Sequence, residues 1–439
     1  MTEIARGVQR LYLTLTLLTT LAASLIWGVN TLFLLDAGLD NTQAFAANAF
    51  FTLGMVLFEV PTGVVADTRG RRFSFLLGTL TLLASTVLYW WMWLVHAPFW
   101  GWAVSSVLIG LGFTFFSGAT EAWLVDALAS AGYAGDLESV FGRAQVAGGV
   151  AMLTGSVLGG VIAQFTDLGF PYLVRAALLL VTAALAWRSM RDLGFVPQRE
   201  ARPLHAVRVV LDGAVAGGLR NRPVRWLMIA APFTAGTGIY VFYALQPYLL
   251  QLYGDSSAYS VAGLAAALVA GAQVLGGLLV ARVRRRFRLR TDALLVGGVA
   301  SVVLLVGIGL AGSFWVVLAL VAAWSMLGAL VAPLRQSFIN GAIPSAQRAT
   351  VLSFDSLMGS AGGVVAQPAL GRVADLSGYA TSYLVSAAIQ ALALPFTMLA
   401  RREHSPSDPI ATGAGTAAVP DQPVADGDAG TDGGTGEQG

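Results

Sequence analysis

The chain contains no cysteine and no lysine, has only three histidines, and carries charge on just 11% of its residues. Without cysteine there is no disulfide and no thiolate metal site. The histidines, His96, His205 and His404, fall in expected loops or in the tail, which leaves no zinc-ligand set. All the basic residues are arginine, and a formal net charge of +2 is too small to suggest a nucleic-acid partner. The sequence also lacks a nucleophile–base constellation and a phosphate-cradling loop, so an enzyme is not expected and ATP is not the expected energy source. The shortage of charge is matched by a surplus of apolar residues. Hydrophobic side chains make up 56% of the chain, against roughly 45–50% in soluble domains that are about 25% charged.

That surplus is organised in apolar runs, each able to cross a ~30 Å hydrocarbon core as a helix of about 20 residues. Twelve are expected, near residues 11–35, 44–66, 73–95, 99–128, 140–165, 169–187, 224–252, 258–281, 292–312, 314–340, 349–374 and 378–400. The fold class is therefore an all-α integral membrane protein. The first run exceeds a signal-peptide core and is read as a retained helix. Arginines gather at Arg69, Arg71 and Arg72, from Arg188 to Arg225, and from Arg282 to Arg290, so that every second loop is basic. The positive-inside rule then places both termini in the cytoplasm. Residues 188–223 are an arginine-rich cytoplasmic linker between a six-helix bundle at 1–187 and another at 224–400. Residues 401–439, rich in Gly, Ala, Asp, Thr and Pro with no aromatic, are expected to be a disordered acidic tail.

The two halves resemble each other weakly. Gly155-Ser-Val-Leu-Gly159-Gly160 in the fifth span aligns with Gln367-Pro-Ala-Leu-Gly371-Arg372 in the eleventh. Trp123-Leu-Val-Asp126 in the fourth aligns with Ser337-Phe-Ile-Asn340 in the tenth at nearly the same offset. Internal repeats of this kind place a substrate between the halves in many transporters.

The most specific pattern is Gly63-Val-Val-Ala-Asp67-Thr-Arg69-Gly70-Arg71-Arg72, where the second span leaves the membrane. Gly63 and Asp67 share a helix face, where glycine would admit a neighbouring helix and the carboxylate would sit at a crossing point. Gly70 suits a tight turn. This run resembles the signature of the major facilitator superfamily, with Thr68 standing where a basic residue is usual. The resemblance implies two pseudo-symmetric six-helix bundles and a cytoplasmic latch that holds one access state. Plain positive-inside anchoring is the alternative role for the arginines. Gly142, Ala151, Gly155, Ser156, Gly159 and Gly160 in the fifth span are similar to a glycine–proline motif of exporters in that superfamily, and they would equally serve as close packing.

Charge inside a span is costly and marks candidates for function. Glu59 shares a face with Asn48 and Thr52, beside Pro61, and either moves protons or satisfies backbone. Glu121 follows Thr114 and Ser117 at helical spacing, and by the repeat it matches Arg335. If the family architecture holds, the first, fourth, seventh and tenth helices line a central cavity. Glu121 and Arg335 would meet across it as an ion pair, either permanent or opening during the cycle. Asp355, seven residues after Arg348, is expected to pair with arginines of the loop after the second span; Asp126 and Arg348 are further charge partners. Asn30, Tyr240 and Tyr243 are expected in the cavity, with Trp27, Gln246 and Tyr248 as weaker candidates.

Together these features imply a secondary transporter of a bacterial cytoplasmic membrane, working by alternating access as a monomer. The expected partners are a small-molecule substrate and the lipid bilayer, with no metal or cofactor and the proton gradient as energy source. Export of amphipathic molecules by proton antiport is the leading expectation, resembling drug-efflux members of the superfamily. Proton-coupled uptake of a small polar metabolite is the alternative, and a non-transporting scaffold or sensor is the third reading.

Overall fold

The computed structural model describes residues 3–116, 118–133, 135–197, 218–343 and 348–410, and among them the regular structure is helical apart from one isolated β-bridge between Leu289 and Pro409. A helix satisfies its own backbone, which is what a segment surrounded by hydrocarbon requires. The helices are α1 (Glu3–Trp27), α2 (Asn30–Asp36), α3 (Asn41–Arg69), α4 (Arg71–Leu94), α5 (Phe99–Thr114), α6 (Ala119–Ser130), α7 (Leu137–Phe165) and α8 (Phe170–Ser189). The second half adds α9 (Arg222–Tyr253), α10 (Tyr259–Arg284), α11 (Arg290–Leu310), α12 (Phe314–Ala342), α13 (Arg348–Ala391) and α14 (Ala393–Arg402).

These helices make twelve crossings. The first is α1 and α2, interrupted at Gly28 and Val29. The fourth is α5 and α6, interrupted after Phe115, where Gly118 takes a left-handed conformation with φ of 67°. Thr350 to Arg402 is an apolar helical stretch of 53 residues, about 80 Å at 1.5 Å per residue and too long for one crossing. It folds back at Gly378, whose φ of 82° and ψ of 166° are not helical. Short caps set the register. Asp40 accepts from the Gln43 amide at 2.7 Å, and the Gln43 side chain accepts from the Asp40 amide at 3.3 Å, a reciprocal capping box that starts α3.

Within the first half, α1 packs on α7 and α8, α3 on α5, and α4 on α5 and α8. The second half repeats the scheme: α9 packs on α13 and α14, α10 on α12, and α11 on α12, α13 and α14. Three further pairings, α3 with α13, α7 with α10 and α2 with α9, join the halves. Leu57, Leu80, Leu180, Leu264, Leu278 and Val303 are exposed, a surface that hydrocarbon covers without penalty. Exposed Trp100, Phe165 and Trp315 sit at helix ends, where indole and phenyl rings favour the bilayer interface.

The first ten residues of the expected tail are ordered. Residues 401–410 are placed against the bundle, with Asp408 buried and accepting from the Thr291 amide at 2.8 Å and the Thr291 hydroxyl at 2.6 Å. Arg290 donates to the carbonyls of Ser407 and Pro409, each at 2.6 Å, and Arg401 pairs with Asp292 at 2.8 Å. Composition averages over this segment, whereas the Asp408 cap on α11 is one residue's contribution. Residues 411–439 and linker positions 198–217, with His205, lie outside the described residues, as does Ser117.

Candidate functional site between the halves

The hydrogen bonds that join the halves, among the described residues, lie from mid-membrane to the arginine-poor face. There the Asp375 carboxylate accepts from the Asn41 amide and side chain at 3.0 and 2.9 Å and from the Thr42 amide and hydroxyl at 2.9 and 2.5 Å. Burial pushes the Asp375 carboxyl up, but these four hydrogen bonds outweigh it and hold it below the ordinary carboxylate value. Tyr379 donates to Asn41, and the Ser260 amide donates to Gln164 at 3.2 Å. Deeper in, Gln246 of α9 clamps the break between α1 and α2. It accepts from the Thr31 amide at 3.1 Å and donates to the Trp27 carbonyl at 2.5 Å, while the Thr31 hydroxyl donates to the Tyr243 carbonyl at 2.9 Å. Gln367, fully buried, reaches Thr52 at 3.4 Å.

Glycine makes this seal possible. A Cβ added at Gly160 would lie 2.6 Å from the Tyr259 carbonyl oxygen, and one at Gly263 would lie 2.6 Å from that of Ser156. Backbone therefore meets backbone where α7 crosses α10. Gly155 and Gly159 turn the other way, onto Ser24 and Leu25 of α1, so the fifth-span motif divides its contacts between its own half and the other.

Level with the Gln246 clamp, inside the first half, lies a polar centre. The Asn30 side chain donates to Asn48 at 2.9 Å and accepts from the Tyr172 hydroxyl at 2.9 Å, and Tyr89 and Ser106 share a hydrogen bond of 2.9 Å. Arg175 of α8 enters this group with 2% of its surface exposed. Its guanidinium stands 5.8 Å from the Phe113 ring centroid, and it joins no ion pair among the described residues. A cavity of about 40 Å³ is lined by Asn30, Asn48, Tyr89, Ser106, Arg175 and, from the other half, Tyr243. A second, of about 190 Å³, is walled by Thr19, Thr20, Leu82, Phe116 and Leu179. Trp27, Phe113 and Arg175 line both. Thr19 precedes Trp27 in α1 by eight residues, so the larger cavity extends about 12 Å from that shared wall toward the arginine-rich face.

The second half holds a cavity of about 680 Å³ among α9, α11, α12 and α13. Arg335 is here, but its partner is not Glu121. Its Nη1 and Nη2 meet the two Asp355 oxygens at 2.5 and 2.7 Å, and Nη2 also donates to the Leu227 carbonyl at 3.0 Å. The expected Glu121–Arg335 and Asp355–loop pairings are thus both replaced by a fork between adjacent crossings. The physical reason is that a planar guanidinium matches a carboxylate bidentately and both charges leave solvent together. Glu121 is exposed in the first turn of α6, and Glu59 is exposed on α3. Tyr240 lines none of these three cavities: its hydroxyl donates to Ser382 at 2.6 Å and its ring packs on Phe45. Tyr248 donates to the Ile308 carbonyl at 3.1 Å in the second-half core.

At the arginine-rich face the loop after α3 is held inside the first half. Arg71 meets Asp67 at 2.5 Å and approaches Asp126 at 4.0 Å. The Arg72 amide donates to Asp192 at 2.8 Å, its side chain to the Trp187 carbonyl at 2.6 Å, and Arg69 lies over the Phe73 ring. Gly70 has φ of 107°, the conformation its turn requires. Gly63 departs from expectation, because a Cβ there would meet nothing within 4 Å. Among the described residues no helix approaches it in this conformation, and the hydrogen bonds between the halves lie toward the opposite face. Arg348 is exposed at the start of α13 and does not join the cluster.

Sequence reasoning passed over Arg175 and Asp375. Arg175 is the sole charge in its span, which is the signal that could have found it; a census of arginines by loop conceals it. Asp375 gives no such signal, because its partners come from the other half.

The fold has close relatives in shape. It superposes on a nucleoside transporter, NupG, with a TM-score of 0.74 over 91% of this chain and 100% of that one, at 12% identity. A D-xylose–proton symporter gives 0.63 over 90% and 96% of the two chains at 15% identity, and the POT family transporter PepTSo gives 0.70 over 92% and 99% at 14%. An uncharacterized MFS-type transporter of Methanocaldococcus jannaschii is 20% identical over 56% of this chain, a stretch spanning 61% of that relative's length. The Major Facilitator Superfamily model matches residues 12–308 and 260–425, and the chain belongs to that superfamily.

Proposed function

We propose that this transporter exports small amphipathic molecules from a bacterial cytoplasm in exchange for protons, by alternating access and as a monomer. The observation that carries the reading is the cavity beside Arg175. Its walls are mostly apolar and aromatic, it lies on the arginine-rich side of a seal between the halves, and the positive-inside rule makes that side cytoplasmic. A molecule with an apolar body is thereby received from the cytoplasm. Release outward requires the Asp375 and Gln246 contacts to part and the arginine-rich face to close. Closure would bring the α3–α4 loop, with Asp67, Arg71 and Asp126, against the second half as the latch. Glu121 is the acid assigned to proton exchange, because it is exposed directly after the break in the fourth crossing.

The 680 Å³ cavity favours a second reading, uptake of a polar metabolite. It falls within the ~300–1,000 Å³ typical of ligand sites, and the Trp324 indole nitrogen and Gln390 carbonyl oxygen in its wall have no hydrogen-bond partner. Energised inside-out vesicles separate the two. Export predicts that amphipathic compounds release protons from the lumen and that Glu121→Gln abolishes the release while remaining folded. Accumulation of polar compounds in right-side-out vesicles, with no response to amphipaths, would establish uptake instead.

A further inference from the structure

An arginine cannot shed its charge in a protein, and burying that charge without a counter-ion costs several kcal/mol. Arg335 meets this cost with Asp355. Arg175 does not: it is 2% exposed, its Nε has no acceptor, and no carboxylate pairs with it among the described residues. The groups that surround it are tyrosines, asparagines and Phe113. One further buried donor faces the same small cavity unsatisfied, the Asn48 side-chain nitrogen, because the Asn48 oxygen is taken by Asn30 and the Asn30 oxygen by Tyr172. Two orphaned donors, one of them on a cation, therefore line one small cavity, and neither has a hydrogen-bond partner there.

We propose that Arg175 and Asn48 form a subsite for the anionic head of the transported molecule, a carboxylate, sulfonate or phosphate ester, with its apolar body against Trp27, Phe113 and Phe116. This rests on the transport reading and narrows it from amphipathic molecules in general to small amphipathic anions. The larger cavity, about 190 Å³, is below the ~300 Å³ at which drug-sized sites begin, so a single-ring or short-chain anion fits better than a bulky drug. Tyr243 gives the subsite a link to alternating access. It reaches the first half's cavity from α9, and its backbone carbonyl holds Thr31 at the break in the first crossing. An anion that draws Tyr243 toward Arg175 would therefore act on the seal itself.

The test uses full-length protein in phosphatidylcholine nanodiscs, with benzoate, benzenesulfonate and phenyl phosphate as probes and benzamide and benzylamine as neutral and cationic controls. Calorimetry is expected to show at least one anion binding tenfold or more tighter than both controls, a comparison that needs no variant. Arg175→Gln should lose that preference, Arg175→Lys should keep part of it, and Asn48→Leu should weaken the anion several-fold without affecting the controls. Equal binding of anions and controls to the wild type, or unchanged anion binding to folded Arg175→Gln, would overturn the subsite. Stabilisation by added phosphatidylglycerol that disappears in Arg175→Gln, with none of the small anions binding, would overturn the small-solute assignment in favour of a lipid headgroup. Counterflow in proteoliposomes separates this from the transport reading. Movement of neutral or cationic compounds that no anion inhibits would sink the subsite and leave transport standing, whereas Arg175-dependent binding of an anion the protein never moves would sink transport and leave the subsite standing.

Discussion

Arg335 in the second half is met by both oxygens of Asp355 and by a carbonyl, while Arg175 in the first half rests on the face of Phe113 and meets no carboxylate among the described residues. The two arginines stand on non-equivalent crossings, Arg175 on α8 against α1 and α4 and Arg335 on α12 against α10 and α11, so both the neighbouring helices and the side chains they supply differ. A paired intramembrane charge holds two crossings together. An unpaired one is a standing penalty that a ligand can relieve. The comparison yields predictions that can break it. The largest effect is expected from Arg335→Met, which strands Asp355 inside the bundle. Removing one partner of a buried pair costs about 3–5 kcal/mol; Arg335 keeps 27% of its side chain exposed, which lowers the expected loss to about 2–3 kcal/mol. Thermal unfolding in detergent should show it, and Arg335→Met combined with Asp355→Leu should recover most of it. Arg175→Met should do the reverse, raising the unfolding temperature without ligand by an amount corresponding to about 1–2 kcal/mol, since it replaces an uncompensated charge by an apolar chain of similar shape. A drop in stability there would mean that Arg175 is a structural member of the bundle.

The seal offers a smaller contrast. Gly160→Ala inserts a methyl group between two backbones and should weaken the closed arginine-poor face by about 1–3 kcal/mol, read as increased labelling of a cysteine placed at Ser156, which the seal buries. Gly63→Ala meets open space and should leave that labelling unchanged. The smallest effect concerns pH. The closed-state Asp375 carboxyl is depressed, so its contribution to the seal is fully present above the ordinary carboxylate pKa and is lost as pH falls through the lower closed-state value. Acid on the arginine-poor side should favour opening there, and Asp375→Asn should remove the dependence.

Hydropathy made the twelve crossings legible, and the alternation of arginine made the two faces so, because both depend on composition averaged over many residues. The breaks at Gly28 and Gly118 fall inside long apolar runs and leave hydropathy unchanged. Partner identity was illegible for a different reason. Arg335 and Asp355 lie on successive crossings twenty residues apart, and helical spacing reports which residues share a face but not which face meets it. Gly63 and Gly160 look alike in sequence, yet one faces open space and the other a backbone 2.6 Å from an added Cβ, because the conformation decides which glycines are in contact. The docked segment at 401–410 was hidden by the composition of the tail that follows it.

The central claim is that the cavity beside Arg175 is exposed to one face at a time. The absence of native cysteine makes paired spin labels straightforward, with one pair at Arg69 and Arg348 across the arginine-rich face and another at Thr166 and Ser256 across the sealed face. Double electron–electron resonance in nanodiscs should show the first distance shortening and the second lengthening when a transported compound and a pH change are supplied. Both distances staying fixed under conditions where transport proceeds, or both moving in the same sense, would contradict alternating access between these two faces.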